Sequence, residues 1–202
     1  MEFFSRAAGK PARLGILAGT FNPPTRAHLA LASAGLAHVD EVVLVLPRLF
    51  PHKSYEGADF IQRAVMIRAA LGDHPHLSAA ASDGGLFADI AAECQAIYGP
   101  DTQLAFLCGR DAAERIVNWD YGEPGAIERM LGTFHLLVAS RLGSYEPPGR
   151  LRHRIRTLPI SADLDAISAS EVRRRIREGL DWEELVPETI VPIVREIYRP
   201  PA

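Results

Sequence analysis

Short apolar runs alternate with amphipathic segments along most of the chain. The runs are too short for buried helices and are followed by glycine, proline or polar loops, as expected for strands. Six of them are predicted to be strands, at 14–17, 41–46, 77–81, 104–108, 134–139 and 158–160. Helical spacing follows at 25–37, 59–71 and 86–98, and again after Gly109.

This alternation predicts the fold class. Strands that are apolar on both faces and separated by helices are typical of a parallel sheet with helices on both sides. We therefore predict a doubly wound α/β fold with a parallel sheet and a C-terminal helical region at about 164–202. Residues 1–13 contain no continuous apolar run and are predicted to form a loose tail before a single domain at 14–202.

Composition and charge narrow the class of protein. A chain of 202 residues that is 48% hydrophobic is long enough to bury one sizeable core. Its net charge of -3 favours neither nucleic acid nor an anionic membrane as a partner, so small-molecule substrates are expected. No apolar run approaches the roughly 20 residues of a membrane span. Cys94 and Cys108 match no metal or redox spacing and are predicted to be reduced core thiols, which suits a cytoplasmic protein.

The loop after the first strand carries the first candidate site. It has the sequence GTFNPP at 19–24 and leads into Thr25 and His28, three residues apart at the start of a helix. Gly19 allows backbone to approach a ligand closely, and Thr25 is placed to cap the helix. Backbone amides at a helix start favour anions, and a histidine there can stabilise charge on a phosphate. A simple strand-to-helix turn with a surface histidine is the alternative.

A second candidate site lies at the start of a late helix. Ser168 and Glu171 have the spacing of a capping box. Four arginines surround the first turns: Arg173, Arg174, Arg175 and Arg177. Cations at a helix start oppose the helix dipole unless an anion lies nearby, which points to a phosphate site. Taken alone, the arginines fit a solvated basic face better, and the phosphate interpretation depends on the other phosphate signals in the chain.

Three further candidate site residues lie after predicted strands, two of them close to the end of a strand and one a helix later. Lys53 lies on the loop after the second strand, where it can reach a phosphate as a mobile charge. Asp111, two residues after Gly109, is suited to ribose hydroxyls, and Trp119 is suited to stacking on a flat ring. A solvated lysine, a helix-capping aspartate and a core tryptophan are the alternatives. No set of side chains has metal-ligand spacing, so a metal held by the protein alone is not expected.

In this order, the motifs resemble those of the nicotinate/nicotinamide mononucleotide adenylyltransferases, within the nucleotidyltransferase superfamily of the (H/T)xxH type. The resemblance spans nearly the whole chain. Its most specific parts are GTFNP at 19–23 with Thr25 and His28, and ISASEVR at 167–173, which is similar to the family's ISSTxxR signature. It implies a Rossmann-like nucleotidyltransferase fold and transfer of an adenylyl group from ATP to a pyridine mononucleotide, in NAD biosynthesis. Mg²⁺ would arrive bound to the ATP phosphates.

The resemblance also implies roles for individual residues. The catalytic set would be His28, Thr25, Lys53 and Arg173, and Trp119 would stack on the pyridine ring of the acceptor. Contacts to ATP would come from nine residues: Gly19, Thr20, Phe21, Asn22, Gly109, Asp111, Ile167, Ser168 and Ser170.

Two departures from the family pattern leave the acceptor open. Thr25 stands where many bacterial members have histidine, and the segment SDGGLFAD at 82–89 lacks the Ser-Tyr-Thr run that bacterial nicotinate enzymes use near the acceptor. The alternatives are adenylyl transfer to phosphopantetheine, cytidylyl transfer to a phosphorylated alcohol, and a nucleotide-binding module without catalysis. The oligomeric state, including a homo-oligomer, stays open.

Overall fold

Seven strands form one sheet in the computed structural model, which describes residues 1–49, 57–140 and 145–199. The strands are β1 (Glu2–Ser5), β2 (Arg13–Ala18), β3 (Glu41–Pro47), β4 (Leu77–Ser82), β5 (Gln103–Gly109), β6 (His135–Ala139) and β7 (Ile155–Leu158). Their order across the sheet is β1-β4-β3-β2-β5-β6-β7. All of these strands except β1 run parallel to one another. The predicted doubly wound fold is therefore confirmed, with the addition of one antiparallel edge strand.

That edge strand, β1, corrects the prediction of a loose tail at 1–13. It pairs antiparallel with β4, and Phe3 lies opposite Ala80. The Phe3 ring meets the Tyr98 ring edge-on at a centroid distance of 6.2 Å, and Phe4 meets Phe60 in the same way at 6.2 Å. Because successive side chains of a strand point to opposite faces, each phenylalanine joins the core on its own side of the sheet. Two aromatic rings thus anchor a short strand that has no continuous apolar run.

Seven α-helices and four short 3-10 helices are present in the described part of the chain. The α-helices are α1 (Arg26–Gly35), α2 (Phe60–Leu71), α3 (Phe87–Tyr98), α4 (Arg110–Asn118), α5 (Ala126–Thr133), α6 (Ala169–Glu178) and α7 (Val191–Ile197). In α2, Asp59 accepts a hydrogen bond from the amide of Gln62 at 2.8 Å, and the Gln62 side chain accepts one from the amide of Asp59 at 2.9 Å. This reciprocal cap fixes the first turn of α2. Across the described ranges no helix exceeds 12 residues or is apolar enough to cross a membrane.

The edge strand β7 lies earlier in the chain than the predicted strand at 158–160. It ends at Leu158 because Pro159 has no amide hydrogen to donate to a neighbour. Within it, Ile155 and Leu158 are buried while Arg156 and Thr157 are exposed. A strand at the edge of the sheet is partly exposed to solvent and needs few apolar residues. Strand β7 therefore lacks the continuous apolar run by which we predict strands.

Tight aromatic packing characterises one face of the sheet. Phe87 stacks on Phe106 at 4.5 Å, and Phe106 meets the edge of Phe134 at 4.6 Å. Cys94 and Cys108 are buried in the same cluster as free thiols, which confirms the prediction of core thiols. Burial raises the pKa of both thiols to about 12. Both are therefore protonated near neutral pH and have no thiolate character.

The order of the strands creates a crevice between β2 and β5. From β2 the chain moves outward through β3 and β4 on one side, and β5, β6 and β7 follow on the other. At such a reversal the connections leave in opposite directions, so the carboxyl ends of the two central strands face an open space. Besides the buried clusters on the two faces of the sheet, a further buried cluster holds the C-terminal helices beside this space. It includes Met66 of α2, Val172 of α6 and Val194 of α7.

Candidate active site

A cavity of about 630 Å³ lies at the carboxyl ends of β2 and β5. This volume is in the usual range for small-molecule sites. Nine of the residues predicted from the sequence line the cavity: Thr20, Asn22, Thr25, His28, Gly109, Ile167, Ser168, Ser170 and Arg173. They come from three separate parts of the chain, which the crevice and the C-terminal helices bring together.

The imidazole of His28 has a defined orientation in this cavity. Its Nδ1 atom lies 2.9 Å from the backbone nitrogen of Thr25 and 2.8 Å from the Thr25 hydroxyl oxygen. A backbone amide can only donate, so Nδ1 is the acceptor, and the neutral ring carries its proton on Nε2. The edge of the ring also packs against Phe21, at 5.2 Å between centroids. His28 is therefore an oriented N–H donor at the cavity wall.

Gly19 and Phe21 support the loop from beneath and are not among the cavity-lining residues. Phe21 is fully buried and adopts a left-handed backbone conformation, with φ of 46°. A Cβ atom on Gly19 would lie 3.2 Å from the nearest atom of the Phe21 ring, closer than ordinary packing allows. The ring thus leaves little room for a side chain at position 19, and in turn it supports His28.

Asn22 ties the loop to two distant parts of the chain. Its side-chain oxygen accepts hydrogen bonds from the amide of Ala58, at 3.3 Å, and from the hydroxyl of Tyr198. Its backbone oxygen accepts a hydrogen bond from the guanidinium of Arg173. The start of α2, the end of α7 and the first turns of α6 therefore all hold the loop in place.

Ser168 caps the helix α6, which starts at the cavity. Its hydroxyl oxygen accepts a hydrogen bond from the amide of Glu171 at 3.1 Å. The other half of the predicted capping box is absent, because the Glu171 carboxylate binds Arg174 at 2.7 Å and Arg175 at 2.9 Å. Hydrogen bonds from Arg174 and then Arg175 lower the pKa of Glu171 to about 2. Two of the four predicted arginines are thus neutralised within the helix itself.

Arg173 differs from its two neighbours in both surroundings and partners. It lines the cavity, bonds the backbone oxygen of Asn22, and places Nη2 3.4 Å from the hydroxyl of Ser170. None of the ion pairs among the described residues involves Arg173. A positive charge that lines a cavity without a carboxylate partner, near the amides of a helix start, favours an anionic ligand such as a phosphate.

Comparison with known proteins agrees with this site. A family model described as cytidylyltransferase-like matches residues 16–175, a range that includes every residue lining the cavity. A protein of Acidothermus cellulolyticus, named as a probable nicotinate-nucleotide adenylyltransferase, is 31% identical over 95% of this chain and 96% of its own length. The chain belongs to the nicotinate-nucleotide adenylyltransferase family.

Other members of the nicotinate-nucleotide adenylyltransferase family match over similar lengths. The Moorella thermoacetica protein of the same name is 29% identical over 95% of this chain and 94% of its own. Among solved structures, the Plasmodium falciparum nicotinic acid mononucleotide adenylyltransferase complexed with NaAD has a TM-score of 0.70 at 20% identity. That match covers 92% of this chain and 97% of the other. At this identity the structural likeness concerns the fold alone.

Besides Gly19 and Phe21, two described site residues of this family member do not line the cavity. Asp111 and Trp119 lie together in a separate shallow hollow around the exposed face of α4. The side chain of Asp111 is 85% exposed and Trp119 is 61% exposed, so Trp119 is not a core residue as the alternative interpretation held. Lys53 lies outside the described residues.

Arg63 and Tyr198 also support the site and were missed by sequence reasoning. Arg63 is 4% exposed, and its guanidinium donates to the backbone oxygen of Thr20 at 3.3 Å. A charged residue within the buried stripe that contains Met66 and Ile67 is a signal for an internal partner. For Tyr198 no local signal exists, because its contact with the site depends on how α7 packs.

Proposed function

We propose that this chain transfers the adenylyl group of ATP to nicotinate mononucleotide. An oxygen of the mononucleotide phosphate bonds to the α-phosphorus of ATP, while the bond from that phosphorus to the pyrophosphate oxygen breaks. Pyrophosphate leaves with the bonding electrons, and the product is a pyridine dinucleotide. The observation that carries the proposal is the oriented His28 donor in the cavity that Arg173 also lines, within a chain of this family.

The roles of the side chains follow from the charge that develops during transfer. In this reaction negative charge moves onto phosphate oxygens, so fixed donors lower the barrier and a nucleophilic side chain is not required. We assign the Nε2–H of His28 to an oxygen of the transferred phosphate, and Thr25 to holding the imidazole. Arg173 and the amides at the start of α6 bind the triphosphate, with Ser168 and Ser170 fixing that turn.

The remaining predicted residues and the metal belong to the same proposal. Lys53 supplies further phosphate charge, Gly109 and Asp111 contact the nucleotide, and Trp119 stacks on the acceptor ring. The exposed ring of Trp119 supports that role, because a large apolar surface left in water is suited to a ligand. Mg²⁺ enters with ATP, where the phosphate oxygens and water are its natural ligands and it offsets their charge. Among the described residues no group of three metal-ligating side chains is available to hold it instead.

The segment at 82–89, which lacks the Ser-Tyr-Thr run of the family, has its own structure on the acceptor side of the site. The carboxylate of Glu93 accepts hydrogen bonds from the hydroxyl of Ser82 at 2.6 Å and from the amide of Gly84 at 3.0 Å. This fixes the turn that precedes α3, and Phe87 at the start of α3 lines the cavity. We propose that backbone groups of this turn, with Phe87, take the place of the Ser-Tyr-Thr run.

The proposal is tested by incubating the purified chain with ATP and Mg²⁺ and separating the products by chromatography. Nicotinate mononucleotide, nicotinamide mononucleotide and phosphopantetheine are offered in separate reactions, and CTP replaces ATP in a parallel set. We expect a dinucleotide and pyrophosphate from ATP and nicotinate mononucleotide. Formation of dephospho-coenzyme A alone, or a product only with CTP, would move the chain to another acceptor or nucleotide. No product in any reaction would support the non-catalytic alternative.

A further inference from the structure

A second cavity lies at the opposite end of the sheet from the active site. It has a volume of about 790 Å³ and runs along the amino ends of β2, β5 and β6 and along β7. We call it the amino-end groove. It shares no lining residue with the active-site cavity, so a ligand bound in one does not touch the other.

The groove concentrates positive charge on a chain whose net charge is -3. Seven of its lining residues are basic: Arg13, Arg152, Arg154, Arg156, His38, His135 and His153. Of the four arginines, Arg13 is neutralised by Asp40 at 2.5 Å. The other three take part in none of the ion pairs formed among the described residues. Among the described residues that line the groove, Glu146 carries the one carboxylate, and Asp40 lies outside the lining.

Two of these three guanidiniums are held by histidines. Nη1 of Arg154 lies 3.0 Å from Nε2 of His135, and Nη1 of Arg156 lies 3.1 Å from Nδ1 of His38. A guanidinium can only donate, so both imidazole nitrogens are acceptors. These contacts orient each guanidinium without neutralising it, and leave its other N–H groups for further hydrogen bonds.

The arrangement carries an electrostatic cost that an anion would relieve. Burial, and then the charges of Arg154 and Arg156 and the nearby His153, lower the pKa of His135, as expected where like charges crowd together. Guanidiniums that line one concave surface are suited to phosphate oxygens, which accept paired hydrogen bonds from arginine.

We propose that the amino-end groove is a second anion site that binds a compact polyphosphate, of the size of a di- or triphosphate group. The groove is concave, Glu146 lies among its basic residues, and the charge of Arg13 is offset by Asp40, which together favour a small ligand over an extended nucleic-acid backbone. The proposal is independent of adenylyl transfer, since the residues that carry it do not line the active-site cavity.

The test is a calorimetric titration of the full chain with inorganic tripolyphosphate at low ionic strength. We expect two binding events in the unaltered chain, one at each cavity. Arg173→Gln is expected to weaken the active-site event and leave the groove event unchanged. Arg154→Gln/Arg156→Gln is expected to weaken the groove event by about tenfold or more, because it removes two of the three guanidiniums that form no ion pair among the described residues. Adenylyl transfer should stay unchanged.

A matched control removes the same charge elsewhere. Arg129→Gln/Arg150→Gln replaces two surface arginines that lie outside the groove and pair with Glu123 and Glu128. If both double variants weaken binding equally, the effect is one of diffuse surface charge and the proposal is wrong.

Two other results would also overturn the proposal. A single event that Arg173→Gln abolishes would mean that the groove binds no polyphosphate. If a single-stranded oligonucleotide binds more tightly than tripolyphosphate, and the groove variant loses this binding, the groove is a nucleic-acid surface instead. Should the double variant unfold, the exposed single substitution Arg156→Gln gives the same comparison, because its side chain supports no core.

Discussion

Substitutions at His28 separate its catalytic role from its structural one. Asparagine can present an oxygen near the position of Nδ1 but has no donor at the position of Nε2. His28→Asn should therefore keep an acceptor for the amide of Thr25 and lose the donor to the transferred phosphate. Loss of one fixed donor to a developing charge lowers turnover by roughly a hundredfold or more, equivalent to about 2.7 kcal/mol or more. We expect this loss in turnover, with little change in stability or in the Michaelis constant for ATP.

His28→Ala provides the comparison, because it removes both functions. Thr25 is fully buried in the unaltered chain, and removal of the imidazole takes away the acceptor that its amide bonds. An unsatisfied buried amide costs about 1–3 kcal/mol. At about 2–4 °C per kcal/mol for a domain of this size, the melting temperature should fall by several degrees. Turnover should fall as far as in His28→Asn.

The measurements are steady-state kinetics with ATP and nicotinate mononucleotide, and thermal unfolding of the three proteins. If His28→Asn keeps turnover within about threefold of the unaltered chain, Nε2 does not stabilise the transition state. If the Michaelis constant for ATP rises as much as turnover falls, His28 binds ATP in the ground state instead.

Three further predictions follow from the geometry of the site and of α6. Trp119→Ala should raise the Michaelis constant for the acceptor far more than that for ATP. The melting temperature should not change, because the ring is 61% exposed. An equal rise in both Michaelis constants would mean that Trp119 does not bind the acceptor. Arg173→Gln should lower kcat/KM by roughly tenfold or more, whereas Arg174→Gln, which removes the same charge one residue away, should change it little; equal losses would mean that general charge is responsible. The lowered pKa of Glu171, about 2 against an ordinary 4.5, means that its contribution to stability is present above about pH 4.5 and is lost as the pH falls toward 2. Unfolding temperatures of the unaltered chain and Glu171→Gln should therefore converge as the pH falls from about 5 toward 2. A gap that does not change with pH would contradict the assignment.

Several features of the fold and site were accessible from the sequence because they depend on local spacing. Continuous apolar runs predicted five of the six parallel strands, since a strand covered on both faces must be apolar throughout. Thr25 and His28 are one helical turn apart, and that spacing alone brings the imidazole to the first amide of the helix. Ser168 and Glu171 have the same spacing, so the serine cap was predictable as well.

Other features depended on contacts between residues far apart in the chain. Arg173 and its partner Asn22 are separated by 151 positions, and Tyr198 and Asn22 by 176. The resemblance of ISASEVR at 167–173 to a family motif singled out Arg173, but charge and helical spacing do not distinguish it from Arg174, because the difference lies in which side of α6 faces the crevice.

The sequence by itself therefore determined the alternating elements and the residue types at the two helix starts. Only the tertiary structure decided which of those side chains meet at the crevice, and that the amino ends of the same strands gather a second basic groove. The physical reason is one of range: a helical turn sets contacts between residues three or four apart, whereas packing of the sheet and the C-terminal helices sets the rest.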